Sequence, residues 1–311
     1  MQATFLKHPI HYAGLWCLAC YSAWAFTSQS YGEITLSQFL MPALMAMAGI
    51  AIAWWACHLK QLSPTIAQVW FWAIALRLVG LATYPILEDD MFRYLWDGYQ
   101  MLSFGSPYAA PPSTFFGADD IPEHYEDVLG AINYPDVPTI YAPVTQWMFA
   151  AAAWVAPAKI WPLQAMLLCA DLVVIALLMK RAKPLYVWLF AVNPLVIKET
   201  VVAAHPDMLA IALLLFAFTR PAKQWCLAAV FCGLAVSAKI FAILLVPWCL
   251  GFRWRAWLVF VATVALVFVP YWRDLLNLAG SVATMGEHWL FNAPIYLLVR
   301  GLIPSALVVL K

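Results

Sequence analysis

The sequence predicts an all-α protein: a polytopic transmembrane helix bundle of about ten crossings, with a large first extracytoplasmic loop carrying short interfacial helices. Three observations predict it. Apolar residues make up 65% of the 311, where soluble domains carry about 45–50%. Charged residues make up 11%, against about 25%, and mean hydropathy is +0.80. The apolar stretches run about 15–22 residues, helix-crossing lengths, without the short alternating segments of an outer-membrane barrel. A net charge of +1 and the lack of any basic run exclude nucleic acid as a partner.

Taken in order, the candidate crossings are residues 12–28, 38–58, 65–86, 163–179, 184–200, 207–219, 224–239, 240–252, 256–271 and 294–310. Lys7 precedes the first, but no small-x-small cleavage site follows it, so a retained helix is expected rather than a signal peptide. Short loops carry the basic clusters Lys180–Arg181–Lys183, Arg220–Lys223 and Arg253–Arg255, and alternate loops lack them. Basic loops face the cytoplasm, and Lys7 and Lys60 fit the same scheme. If the first three segments cross, residues 88–143 lie outside, and the Lys180 cluster is cytoplasmic only after an odd number of further crossings. Segment 144–157, short and led by Pro143, is therefore expected to lie in the interface or re-enter, leaving both termini cytoplasmic. The whole chain, 1–311, reads as one transmembrane domain.

The seven cysteines lie almost entirely in apolar segments. Cys17 and Cys20 form a CxxC inside a helical apolar run, where cysteine is an ordinary packing residue rather than a metal or redox site.

The loop at 88–143 holds ten of the sixteen acidic residues and a single basic one, Arg93. An outside location accounts for its sign but not for the crowding of Glu88, Asp89 and Asp90 at its start. These three cannot all ionise close together without cost, so at least one is expected to have a raised pKa. A helix begun there sets Asp89, Arg93 and Asp97 on one face and Phe92, Leu95, Trp96 and Tyr99 on the other, which suits a helix lying on the membrane surface. Acidic residues at a helix start also simply favour its dipole. The alternative is chemical: a carboxylate fixed at the lipid–water boundary suits a base acting on a substrate with a polar head and a lipid tail.

Two charges lie deep. Arg77 is about 16 Å below the outer edge and Asp171 about 14 Å from the inner one, at about 1.5 Å per residue. In a core of about 30 Å their depths nearly coincide, and pairing would lock the third helix to the fourth crossing.

The run LEDDMFRYLWDGYQMLSFGSPY resembles the first external loop of GT-C fold polyprenyl-phosphate-sugar-dependent glycosyltransferases, particularly bacterial mannosyltransferase-like members. Those carry an acidic pair, an aromatic-Arg-Tyr-Leu-Trp-Asp-Gly run and a later Asn-Pro-Tyr. VPTIYAPVTQ resembles their Thr-Ile-Tyr-Pro-Pro element, VNPLVIKE their Asn-Pro helix, AHPDMLAIALLL a His-Asn-Asp segment and GLAVSAKIFAILLVP a Gly-Leu-x-x-x-x-Lys hairpin. Ser106, Ala142 and Pro206 depart from the usual Asn, Pro and Asn. Ala109 stands where an Arg is common, which leaves the donor sugar open.

The resemblance implies a bacterial inner-membrane enzyme that moves a hexose, mannose first, from a polyprenyl-phosphate sugar to a glycan or lipid acceptor, with inversion. It implies Asp90 or Asp89 as base and matches Lys239 to a family Lys; the donor phosphate and sugar candidates are Lys239 with Arg93, His205, Asp207 and Tyr141, and with Arg300, which the orientation brings near the outer interface. Lys239 has the additional reading of a snorkelling lysine, and His205 and Asp207 that of an N-cap region. No cofactor is required on this reading, although an acidic pair beside a phosphate is also able to hold a divalent metal. Any partner subunit is unknown. Three other readings compete: a flippase or transporter of lipid-linked sugars, a ligase or polymerase of lipid-linked glycans, and a non-catalytic accessory subunit. A transporter should show midplane charges and repeat symmetry; no repeat is present, and the acidic residues concentrate at the surface.

Overall fold

The computed structural model describes residues 8–31, 35–85, 87–288 and 298. Its fold is all-α. Helices α1 (Pro9–Tyr31), α2 (Leu36–Leu59) and α3 (Ile66–Leu81) form a first cluster. The starts of α2 and α3 are fixed by capping boxes, Thr35 with Gln38 and Thr65 with Gln68, which satisfy otherwise orphaned backbone donors. Trp24, Trp72 and Trp188 fill the core of this cluster, and Tyr21 donates to the carbonyl of Val192 at 2.7 Å.

The polar loop then builds α4 (Asp90–Phe104) and α5 (Glu123–Gly130) before α6 (Pro143–Val155). A second group follows: α7 (Trp161–Met179), α8 (Pro184–Ala191) and α9 (Pro194–Ile197), the last continuing into a π-helical turn at Lys198–Val202. After it come α10 (Asp207–Phe218), α11 (Trp225–Val236), a 3-10 segment at Ile240–Leu245, α12 (Val246–Leu250), α13 (Trp254–Phe268) and α14 (Leu275–His288).

The expectation of about ten crossings is overturned. Among the described residues three helices are long and apolar enough to span: α2, α7 and Trp254–Tyr271, which is α13 extended by a 3-10 turn. A fourth counts only if α8 and the 194–202 segment, bent by 53° at their junction, form one span. The physical reason is helix continuity. One helix ends at Ala191 with Val192 as its C-cap, and Asn193 caps the next, with Pro194 at its first position. Twelve-residue α10 and α11 reach only about 18 Å and sixteen-residue α3 about 24 Å, short of a core of about 30 Å. Helix α1 has the length but carries too much Trp, Tyr, His and hydroxyl to qualify. The crossing expected at 294–310 lies, apart from Leu298, outside the described residues, as does Arg300. What stands is an integral, multi-pass membrane protein.

The basic loops gather at one end. Arg181 donates to the carbonyl of Thr219 at 3.0 Å, and Arg220 and Arg253 line one cavity. Helix α10 runs from Asp207 in its first turn to Thr219, just before Arg220, so its opposite end faces the acidic residues.

Arg77 and Asp171 are fully buried and ion-paired through Nε and Oδ2. The same guanidinium donates to the carbonyls of Ala73 (3.0 Å) and Ala191 (2.6 Å), so it ties α3 to α7 and to the end of α8.

Helix α4 is packed largely into the protein. Eight of its fifteen residues are buried, Arg93 and Asp97 among them. Gly98 makes this possible: a Cβ there would stand 2.4 Å from the carbonyl oxygen of Phe149, so only glycine lets α4 approach the α6 backbone so closely. The apolar face packs inward, with Trp96 and Leu95 against Tyr125, Val128 and Leu129 of α5.

Candidate active site

The three acidic residues at the head of α4 open onto a cleft of about 550 Å³, lined also by Arg93, Tyr134, Tyr141 and His205. Backbone strain concentrates around it. Of the described non-glycine residues in the left-handed region, Leu87 (φ 61°) precedes Glu88, Tyr134 (φ 50°) lines the cleft and Ala204 (φ 55°) precedes His205. Such conformations cost about 1–3 kcal/mol each and collect where function over-determines the backbone.

Glu88 is the best-partnered of the three acids. Lys198 Nζ donates to its Oε1, and His205 Nε2 contacts its Oε2 at 2.7 Å. Burial works against ionisation of Glu88, but His205 and Lys198 outweigh it and hold its carboxyl below the ordinary glutamate range. Crowding was expected to push one acid up; in Glu88 the incoming cations reverse the sign. Asp90 Oδ2 lies 3.6 Å from the same His205 nitrogen. Asp89 occupies the position before the helix and makes no side-chain cap bond.

His205 holds the centre. Its Nδ1 meets Glu199 Oε2 at 2.6 Å, while Nε2 serves Glu88 and Asp90. Both ring nitrogens face carboxylate oxygens, and only the imidazolium has two N–H donors to offer. Burial alone would lower its pKa, but the contacts with Asp90, Glu199 and Glu88 prevail and raise it to about 11. A histidine raised this way stabilises the fold fully below its ordinary value of 6.5, and that contribution is lost as pH climbs towards about 11. Thermal unfolding in detergent should therefore show a melting temperature that falls between pH 7 and pH 10, and His205→Gln should fall less. An equal fall in the two proteins would contradict a charged His205.

The other residues singled out from the sequence have these places. Arg93 lines the cleft, but its Nη2 is committed to the carbonyls of Tyr134 (3.1 Å) and Val137 (2.7 Å), which fixes the opposite wall. Of the two carboxylates expected to bracket Arg93, Asp97 pairs with it, Oδ1 standing 4.0 Å from Nη1 while the same carboxylate accepts from Gln146 at 2.8 Å; among the described residues Asp89 forms no ion pair with it. Asp97 is fully enclosed, and burial pushes its pKa up. Tyr141 lines the cleft with its hydroxyl 3.5 Å from that of Tyr94. Lys239 pairs with Asp207 at 3.1 Å, and neither belongs to the cleft lining. The sequence reading gives Lys198 and Glu199 no role of their own; they are the adjacent charges that close the VNPLVIKE stretch.

Glu88, Glu199 and His205 offer ligand atoms within 4.8 Å of one another, close enough to share a metal ion. Those atoms already face Lys198 or one another. The arrangement supplies carboxylates at a cleft mouth, with buried cations directly behind them.

A family model described as "Alpha-(1->6)-mannopyranosyltransferase, N-terminal domain" matches residues 13–255. No curated protein and no solved structure matches the chain.

Proposed function

Because the chain belongs to the alpha-(1->6)-mannopyranosyltransferase N-terminal-domain family, we propose that this glycosyltransferase moves mannose from a polyprenyl-phosphate donor to a hydroxyl of a glycan or lipid acceptor. The observation that carries the reading is the cleft at the head of α4, where Asp89 and Asp90 face open space with charged His205 behind them. Asp90 takes the proton from the acceptor hydroxyl as it attacks the anomeric carbon, and that carbon inverts. Asp89, in the same cleft, is the alternative base. Base assistance of this kind contributes about 10²–10⁴-fold.

The leaving group is a lipid monophosphate that gains negative charge as the glycosidic bond breaks, so cations near it lower the barrier. Among the described residues His205 is the cation paired with Asp90. Lys239, paired with Asp207 outside the cleft lining, is the second candidate for the phosphate, which would have to replace Asp207 as its partner. Arg93 holds the wall carrying Tyr134 and so shapes the sugar side of the cleft.

The cleft faces the extracytoplasmic side on this reading. Its support is the gathering of Arg181, Arg220 and Arg253 at the other end, where the positive-inside rule puts the cytoplasm.

The test is transfer in sealed vesicles of known orientation, with labelled mannose supplied either on a polyprenyl phosphate or on a nucleotide diphosphate. The lipid-linked donor should be consumed with acceptor on the outer face, and the product should have the opposite anomeric configuration. Use of the nucleotide sugar, or retention, would contradict the reading.

A further inference from the structure

Four side chains behind the cleft form a closed circuit. Lys198 Nζ contacts Glu88 Oε1 and Glu199 Oε1 (3.1 Å); His205 contacts Glu88 Oε2 through Nε2 (2.7 Å) and Glu199 Oε2 through Nδ1 (2.6 Å). Each carboxylate uses one oxygen on each cation, and each cation bridges both carboxylates. Two positive and two negative charges cancel, so the circuit closes without an added ion. Lys198 itself is buried, with a side chain only 5% exposed. Such an ammonium is strongly held, because removing either partner would leave a charge uncompensated in a poorly solvated place.

The circuit spans three separate pieces of backbone. Glu88 belongs to the turn that leads into α4. Lys198 and Glu199 begin the π-helical turn after α9. His205 sits in the turn before α10, where its own N–H donates to the carbonyl of Glu199 at 2.8 Å. Asp90 is two residues from Glu88 and 3.6 Å from His205, so whatever fixes those two fixes the Asp90 carboxylate.

We propose that Lys198 is a positioning residue for the transferase reaction: by closing the ion-pair ring with Glu88, Glu199 and His205 it holds the head of α4 against the turn before α10 and sets the aim of Asp90. This rests on the transferase reading of the cleft. It also sets Glu88 apart from the choice of base, since its Oε1 accepts from Lys198 and its Oε2 lies buried against His205. The ring's work is geometric: misplacing a reacting group by about 1 Å can cost about 10²-fold in rate.

The experiment is a double-mutant cycle on the full chain in detergent or vesicles, using polyprenyl-phosphate mannose as donor. Lys198→Met and Glu88→Gln should each lower kcat by about 10–100-fold while donor KM changes by less than about 3-fold. The double variant should be no worse than the poorer single one, because both changes break the same ring. Lys198→Arg, which keeps the cation, should recover most of the rate. A double variant whose loss is the product of the single losses would overturn the proposal. So would a Lys198→Met defect confined to KM, the signature of a direct phosphate contact.

Hydrogen exchange gives a readout that needs no turnover. In Lys198→Met, backbone amides in 87–92 and 203–207 should lose protection together, and unchanged protection would overturn the ring's role. If the unmutated protein turns over no lipid-linked sugar, the transferase reading fails, yet joint loss of protection would still establish the ring as the clamp between these segments.

Discussion

Asp90→Asn is expected to lower sugar transfer by about 10²–10⁴-fold, the usual contribution of a general base, with the fold intact. The substitution keeps the side chain's shape and removes only its capacity to take a proton. Asp90 stands at the first position of α4, open to the cleft, and its one ionic neighbour among the described residues is His205 at 3.6 Å. The tighter contacts of His205, to Glu88 and Glu199, survive the change. The melting temperature should therefore move little while kcat collapses. Initial rates at saturating donor, measured beside Asp89→Asn, check this directly. If only Asp89→Asn loses activity, the base is Asp89, whose carboxylate carries no cap bond and faces the same cleft.

The largest effect on stability should come from the buried pair. Asp171→Asn or Arg77→Met is expected to cost about 3–5 kcal/mol, because each leaves a charge in the core without its counterion. Arg77 also ties the carbonyls of Ala73 and Ala191, so its loss frees acceptors on two helices. The pair is nevertheless imperfect: Arg77 Nη2 and Asp171 Oδ1 are buried and find no hydrogen-bond partner among the described residues. Replacing both residues by apolar ones, Arg77→Met with Asp171→Leu, should therefore recover much of the loss, since no orphaned charge remains. Unfolding in detergent, read for both single variants and the double one, gives the comparison. Equal destabilisation in all three would mean that the residues act through something other than their pairing.

Membrane character and helical class are legible in composition, because apolar content reports directly on partitioning into a bilayer. The number of crossings is not, because hydropathy does not see where a helix breaks. Residues 184–200 are apolar almost throughout, yet the Asn193–Pro194 step divides them and bends the path by 53°. Residues 240–250 are apolar too, but half of them wind as a 3-10 segment.

The acidic head of α4 was legible because three adjacent carboxylates are conspicuous in a chain so poor in charge. Its partners were not. Lys198 meets Glu88 across 110 residues of chain, and no local spacing announces such a contact. Arg93 illustrates a different blindness. Carboxylates sit at helical spacing on either side of it, so sequence assigns it to them, whereas the folded chain spends its Nη2 on two backbone carbonyls more than forty residues away. Carbonyl acceptors exist at every residue and leave no mark in the sequence.

The measurement that tests the central claim most directly is donor consumption by the purified protein given a panel of polyprenyl-phosphate sugars, run beside Asp89→Asn and Asp90→Asn. The account predicts that the mannose donor is consumed, its sugar appearing on an acceptor or on water with inversion, and that Asp90→Asn abolishes this. Consumption of none of the donors, or consumption that neither substitution affects, would contradict it.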